Sequence, residues 1–301
     1  MKLVCNFIAK EPNTFIGMEV KKDVKYFDYA IKLIESIIAI SESKSSYTEI
    51  KNSLRLISTL FDCYKGKIDM LLEQIIKYIL IKYKNKMKKD LEIYLQNLLS
   101  ICFIYDPLKT LNAFQKENCT KDIFIFWFKG LDNLQKLIDM KYNLLGICSL
   151  ISLDQTQQDK LIMDNMKQIL EKIYKITEKI SKKTKDKEED KENDDNNYEN
   201  LDVDEDFVEG ENNMDEMLKK IMDGPGGDDD DDLSYEEEDD DDKPLTNFEK
   251  QSALIFVKNT LDALSQKSPE INKIIIETLG DKINNLKEMF NNEEKRLAHN
   301  K

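Results

Sequence analysis

Apolar side chains recur every three or four residues along most of the chain, which is the spacing of one face of an α-helix. Residues 26–40 show this clearly, since Phe27, Ile31 and Ile34 fall on one face while Lys32 falls elsewhere. The same spacing predicts further helices at residues 47–63, 68–83, 91–104, 107–114, 122–138, 142–153 and 159–180. The pattern therefore predicts an all-α fold.

Consecutive predicted helices group into pairs, whose first members start near residues 26, 68, 107 and 142. These starts lie about 42, 39 and 35 residues apart, close to the period of about 40 to 47 residues of HEAT and armadillo repeats. We therefore predict a HEAT/armadillo-type α-solenoid of four stacked antiparallel helix hairpins over residues 26–180. An irregular helical bundle would show the same local periodicity and is the alternative.

Capping signals mark the starts of several helices, because a short polar side chain can accept a hydrogen bond from the first turn. The predicted N-caps are Asp106, Thr246 and Ser268. After Thr246 we predict a helix at residues 247–264, then one from Pro269 to a break at Gly280, and a last helix at residues 281–297.

One bulky aromatic residue tests whether these helices share a core. Trp127 falls on the same helical face as Ile123, Phe124 and Leu131. Because a shared apolar face packs against neighbouring helices, we predict that Trp127 lies in the core between consecutive repeats and is not a ligand platform.

Charge divides the chain into a basic body and an acidic segment. Residues 186–243 carry 29 acidic and 5 basic side chains, a net charge of −24, whereas the whole chain carries −14, so the remainder carries +10. From residue 184 to 243 apolar residues are too sparse to offset the entropy lost on ordering, which predicts disorder. The predicted organisation is therefore HEAT-like repeats at 1–183, an acidic disordered loop at 184–243 and C-terminal helices at 244–301.

Apolar residues return briefly inside the acidic segment and end at the sequence GPGG. Their helical spacing is compatible with a short docking motif or with a transient solvated helix, and both interpretations stay open. The residues concerned are Met214, Met217, Leu218, Ile221 and Met222.

The residue types argue against an enzyme. The single histidine, His299, stands close to the end of the sequence, and no GxGxxG, GxxxxGK[ST] or GxSxG motif is found. Most paired carboxylates fall in the segment predicted to be disordered, where nothing would hold them in catalytic geometry. We predict no enzymatic activity, no cofactor and no metal site.

The remaining composition narrows the class of protein further. The five cysteines lack CxxC spacing, and four lie in or beside apolar runs, which is typical of buried thiols in a reducing compartment. No apolar run has the 18 to 20 residues or so of a membrane-spanning helix. A tethered segment of charge −24 would also compete with nucleic acid. We therefore expect an intracellular protein that binds neither membrane nor nucleic acid directly.

Several motifs, in the same order along the chain, resemble the late repeats of the importin-β superfamily, in its importin-seven/eight branch. They are FDYAIKLI at 27–34, YKGKID at 64–69, YDPLKTLN at 105–112, the acidic insert and RLAHNK at 296–301. The most specific stretch is a Trp-containing helix followed by a second helix, matched by Trp127, Leu145, Gly146, Cys148, Leu150 and Ile151.

The resemblance implies a nuclear import receptor that shuttles between cytoplasm and nucleus and binds basic cargo such as ribosomal proteins or histones. It also implies nucleoporins and Ran-GTP as partners, although the Ran-binding repeats of the family lie upstream of the region matched here, so the chain resembles a C-terminal portion. The residues predicted to contact cargo are Asp228, Asp229, Asp230, Asp231, Asp232, Glu236, Glu237, Glu238, Asp239, Asp240, Asp241 and Asp242.

A stand-alone acidic chaperone or scaffold for basic proteins, without a role in transport, is the alternative function. It would use the same charge complementarity. Only the transport hypothesis predicts engagement of the nuclear pore. In either case we expect the acidic segment to rest part of the time against the basic helices of its own chain, so that basic cargo has to displace these helices from it.

Overall fold

Helices make up nearly all of the structure, a computed structural model that describes residues 2–17, 19–21, 24–25, 28, 32, 47–84, 89–154, 160–198 and 246–299. The predicted all-α class is confirmed. The fourteen described helices are α1 (Lys2–Lys10), α2 (Pro12–Gly17), α3 (Tyr47–Cys63), α4 (Asp69–Lys84), α5 (Lys89–Tyr105), α6 (Pro107–Lys116), α7 (Thr120–Gly130), α8 (Leu137–Ile151), α9 (Lys160–Asp164), α10 (Met166–Tyr198), α11 (Asn247–Lys250), α12 (Ala253–Lys267), α13 (Pro269–Leu279) and α14 (Lys282–His299).

Two short strands near the N-terminus were not predicted. Strand β1 (Glu19–Lys21) pairs in antiparallel fashion with β2 (Val24–Lys25). They precede the region for which stacked helix pairs were predicted, and they leave its all-helical character unchanged. The helix predicted at residues 26–40 falls almost wholly outside the described residues.

The helices pack in pairs along a row. Helix α1 packs on α3, α3 on α5, α5 on α8, α8 on α12 and α12 on α14. Helices α4, α6 and α7 lie against α5, and α13 lies against α12 and α14. Some consecutive helices, such as α4 with α5 and α12 with α13, pack together, and the row is completed by contacts between helices that are not consecutive. The paired packing agrees with the predicted fold class.

The second and third predicted helix pairs, α4 with α5 and α6 with α7, are in contact, but the fourth differs from the prediction. The sequence pattern paired α8 with the following long helix, but α8 packs most extensively on α5 and also on α12, which lies about a hundred residues later. Periodicity identifies which residues are apolar on a helix, whereas the partner of that face is decided by tertiary packing. The prediction of which helices share a hairpin was wrong here.

Two predicted helices are also interrupted. The helix predicted at residues 122–138 ends at Gly130, is followed by a short 3-10 turn (Leu131–Asn133), and becomes extended at Leu134. Leu131 and Leu134 are still buried, so the apolar spacing continues although the helix does not. The helix predicted at residues 247–264 breaks at Gln251, because Ser252 caps a new helix by accepting a hydrogen bond from the backbone N–H of Ile255.

The predicted capping residues are confirmed. The side chain of Asp106 accepts a hydrogen bond from Lys109 N, and that of Ser268 accepts one from Ile271 N. Thr246 caps α11 in the same way. In each case the side-chain oxygen satisfies a backbone donor that the first helical turn leaves unpaired.

Helix α10 continues to Tyr198 and so extends into the residues that were predicted to begin the disordered segment. Residues 199–245 lie outside the described part of the chain, and their disorder stays a prediction. The contacts divide the chain into one compact unit of residues 1–186 with 244–301 and a second unit of residues 187–243. Across the described helices, none combines the length and the apolar content needed to cross a membrane.

The contact between α5 and α8 is close because a glycine lies at its centre. A Cβ atom added to Gly146 would lie 2.8 Å from the Cα atom of Ser100 and 2.9 Å from its carbonyl oxygen. Carbon atoms in packed interiors normally stay about 3.5 to 4.0 Å apart. The separation of these two helices is therefore set by the absence of a side chain at position 146.

Beside Gly146, a buried amide joins three helices. The Asn143 side-chain oxygen accepts hydrogen bonds from Trp127 Nε1 at 2.7 Å and from Ser100 Oγ at 2.9 Å. Its nitrogen donates to the Asn97 side-chain oxygen and to the Asp139 backbone oxygen, both at 2.8 Å. All four hydrogen-bonding positions of this buried amide are used, which offsets the cost of removing it from water.

Trp127 lies in the core, as predicted. Its side chain is fully buried, and its ring stacks on Phe103 of α5 with the ring centroids 5.0 Å apart. Trp127 thus adds buried apolar surface to the core and also donates a hydrogen bond to the Asn143 amide.

We expect Trp127→Ala to lower the free energy of unfolding by about 3 to 5 kcal/mol, because it removes a large buried ring and leaves a cavity. Ile125→Ala on the same helix is the matched control, since its side chain is 56% exposed, and it should change the stability by less than about 0.5 kcal/mol. Chemical unfolding followed by far-UV circular dichroism measures both. Equal stabilities for the two variants would contradict the buried position of Trp127.

Candidate functional site

The twelve acidic residues predicted to contact cargo, at positions 228–232 and 236–242, lie outside the described residues, as does the apolar island at 214–222. Their role in cargo binding stays a prediction. The described part of the chain resumes at Thr246, shortly after the acidic segment. Residues 246–252, called the strap below, contain α11 and lead into α12.

The strap has a compact conformation that its own sequence stabilises. Thr246 Oγ1 accepts a hydrogen bond from Glu249 N at 3.0 Å, and the Glu249 carboxylate accepts one from Thr246 N at 3.4 Å. This reciprocal pair is a capping box, the typical start of a helix in a Thr-x-x-Glu sequence. The strap therefore contributes two of the hydrogen bonds that hold its single turn.

The strap begins on α3. Asp62, near the end of that helix, accepts hydrogen bonds from Asn247 N at 2.7 Å and from Asn247 Nδ2 at 3.3 Å. The next residue, Phe248, is buried in the hydrophobic core. Two hydrogen bonds and one buried aromatic ring thus hold the two residues that precede Glu249.

Glu249 then enters a cluster of charged side chains between α3 and α8. Its carboxylate lies 3.9 Å from Arg55 Nε, and these side chains are only 9% and 14% exposed. The Tyr142 hydroxyl lies 3.2 Å from the Glu249 carboxylate and 3.2 Å from Ser58 Oγ. Lys141 Nζ donates to the backbone oxygen of Glu249. Groups from two helices therefore hold a single residue of the strap.

The end of the strap is fastened to α14. Ser252 Oγ donates to Glu293 Oε1 at 2.6 Å. Arg296 donates through Nε and Nη2 to the two oxygens of the same carboxylate, both at 2.7 Å. This two-pronged geometry is the strongest form of an arginine–carboxylate contact. Polar side chains thus join the strap to α3, α8 and α14.

Burial determines the protonation behaviour of the cluster. It lowers the pKa of Lys141 to about 8, against the opposing attraction of Glu249 and Glu293. Burial also raises the pKa of Tyr142, so its hydroxyl keeps the proton that it donates. At Glu293 burial opposes ionisation, but the hydrogen bonds from Arg296 and Ser252 outweigh it and hold the pKa below its ordinary value.

The arrangement joins segments of the chain that lie far apart in sequence. Its carboxylates, hydroxyls and cationic groups contact one another or the strap backbone. Among the side chains that the structure describes, no three His, Cys, Asp or Glu residues are grouped as metal ligands.

Sequence reasoning found only part of this site. Thr246 was identified as an N-cap, and the Thr-x-x-Glu spacing to Glu249 could have predicted the capping box. Arg55 and Lys141 gave no signal, because a charged residue on an amphipathic helix is most often solvated. They are buried by the strap, which is more than a hundred residues away in the sequence.

One protein of known sequence resembles this chain over part of its length. The chain is 26% identical over 129 residues to a probable importin-7 homolog of Dictyostelium discoideum, a match that covers 41% of this chain and 12% of that protein. The similarity to an importin is thus distant and partial. No protein-family model matches the chain, and no solved structure matches it.

We expect the stability of the wild type to rise, relative to Lys141→Met, as the pH increases from about 8 towards the ordinary lysine pKa of 10.5. In that interval the unfolded chain binds a proton at Lys141 that the folded protein does not, so folding gains stability with pH. Titration of the other groups is common to both proteins and cancels in the difference.

The measurement is urea unfolding of the two proteins at several pH values between 7 and 10. Lys121→Met, at an exposed position on α7, controls for the loss of one lysine. A wild-type-minus-variant difference that stays constant over this pH range would contradict the burial of the Lys141 ammonium group.

Proposed function

We propose that the chain is part of a nuclear transport receptor of the importin-β type, which binds basic cargo such as ribosomal proteins or histones for passage through the nuclear pore. The observation that carries the proposal is the 26% identity over 129 residues to a probable importin-7 homolog. The row of paired helices supports it, because stacked helix pairs offer the extended surface on which such binding takes place.

The proposed activity consists of binding and release, with no chemical step and no cofactor. The match covers 12% of the relative, so nucleoporins and Ran-GTP are proposed as partners of a complete receptor and not of a particular surface of this chain. Such a receptor would shuttle between the cytoplasm and the nucleus.

We assign cargo binding to the acidic segment, whose 29 acidic and 5 basic residues give a net charge of −24. A dense negative charge accelerates encounter with a basic protein and disfavours acidic partners. Individual exposed ion pairs contribute only about 0 to 1 kcal/mol, and salt screens them over about 8 Å at physiological ionic strength. Affinity therefore has to come from many weak contacts acting together.

A second function, an acidic chaperone for basic proteins, is favoured by one observation. The charge of the segment is by itself sufficient to attract basic proteins, whether or not the helices engage the nuclear pore. Both functions involve basic proteins as cargo, but only a transport receptor also binds nucleoporins.

Binding to an immobilised nucleoporin separates these functions. If the chain is part of a transport receptor, the purified protein should be retained on the nucleoporin in physiological salt, and an unrelated acidic protein of similar charge should not. Retention no stronger than that of the acidic control would favour the chaperone function.

Deletion of residues 228–242 tests the role of the acidic segment in cargo binding. We expect at least a tenfold loss of affinity for a core histone at low salt, and a shallower dependence of affinity on salt, because fifteen residues with twelve carboxylates are lost. A variant in which these carboxylates are replaced by Asn and Gln keeps the length and should behave like the deletion. If both variants keep the affinity and salt dependence of the wild type, the segment acts only as a linker.

A further inference from the structure

The strap contacts its neighbours as a bound peptide would. Three consecutive residues are each recognised by a separate feature: Asn247 by Asp62, Phe248 by burial in the core, and Glu249 by the charged cluster. We call Arg55, Ser58, Asp62, Lys141 and Tyr142 the strap-binding surface. All five side chains belong to α3 or α8.

The strap-binding surface is held in place without the strap. Helix α3 packs between α1 and α5, and α8 packs between α5 and α12. The α5–α8 contact contains Gly146 and the Asn143 hydrogen bonds, to which the strap contributes nothing. The five side chains are therefore presented by helices whose position is fixed elsewhere.

The strap buries little apolar surface. Phe248 is its one buried apolar side chain; Thr246 and the Glu249 carboxylate are buried as well, whereas Asn247, Lys250 and Gln251 are exposed. The neighbouring helix α12 buries a full apolar face, including Leu254, Val257, Leu261 and Leu264. Segments with few buried apolar contacts open at lower free energy than the helices around them. The strap can therefore leave its surface while α12 stays packed.

An exposed strap-binding surface would favour an acidic ligand. Arg55 and Lys141 approach the same strap residue, and removal of one partner from a buried charge cluster leaves the other charges uncompensated. The Tyr142 hydroxyl adds a hydrogen-bond donor at the position that the carboxylate occupies. The surface thus combines positive charge, a donor and an apolar site at fixed spacing.

We infer that the strap-binding surface is a peptide-binding site that the chain's own strap occupies. Its ligand class is a peptide with the sequence Asn-Phe-Glu inside a Thr-x-x-Glu capping box, presented by a partner protein that competes with the strap. The inference goes beyond the proposed function and does not depend on it, because neither cargo nor the nuclear pore enters the argument.

The experiment uses the full chain with Phe248→Ala and Glu249→Ala, which weaken the strap and leave its binding surface intact. A fluorescent peptide of residues 243–252 is titrated to about 1 mM, the order of effective concentration that a short tether supplies. We expect saturable binding to the variant and at least tenfold weaker binding to the wild type, in which the strap occupies the site.

Two controls make the result specific. The same peptide carrying Glu249→Gln should bind the variant at least tenfold more weakly, and Tyr142→Phe added to the variant should weaken the native peptide. Circular dichroism verifies that the double variant keeps the helical content of the wild type. If that content falls, the experiment is repeated with a chain that carries the single substitution Glu249→Gln. Equal binding of the native and Glu249→Gln peptides, or absence of binding to a folded variant, would overturn the inference.

Discussion

The close approach of α5 and α8 is the constraint on which the rest of the fold depends. Gly146 brings the two backbones together at Ser100, and the Asn143 amide connects both helices to Trp127 on α7. The other helices of the row are positioned from this contact, since α3 packs on α5 and α12 packs on α8. A wider separation at Gly146 would therefore displace both halves of the row.

The C-terminal helices join this framework through two kinds of interaction. Helix α12 buries an apolar face, and this burial supplies most of the stabilisation. Apolar packing alone specifies the position of the helix only loosely. The strap adds directional contacts, in which Glu249 meets Arg55 and Tyr142 while Ser252 and Arg296 meet Glu293. Buried ion pairs often contribute little net stability, because removing two charges from water is costly.

The sequence predicts the local features well, because they depend on neighbouring residues. The caps at Asp106 and Ser268 and the burial of Trp127 all follow from short-range patterns. The end of α7 at Gly130 was missed, since the buried Leu131 and Leu134 prolong the apolar spacing beyond the helix. The strap-binding surface was missed for another reason: its charged residues become buried only when a distant segment of the chain folds onto them.

Gly146 has a consequence for how this protein can evolve. Two of the three atoms nearest to a side chain at position 146 would be the Cα atom and the carbonyl oxygen of Ser100, which every amino acid possesses; the third is the Cβ atom of Ser100. No replacement of Ser100 can therefore make room, and compensation would need the two helix axes to move apart together with all the contacts between them. Sequences that share this interface are expected to keep glycine at this position long after the surrounding apolar residues have exchanged with one another.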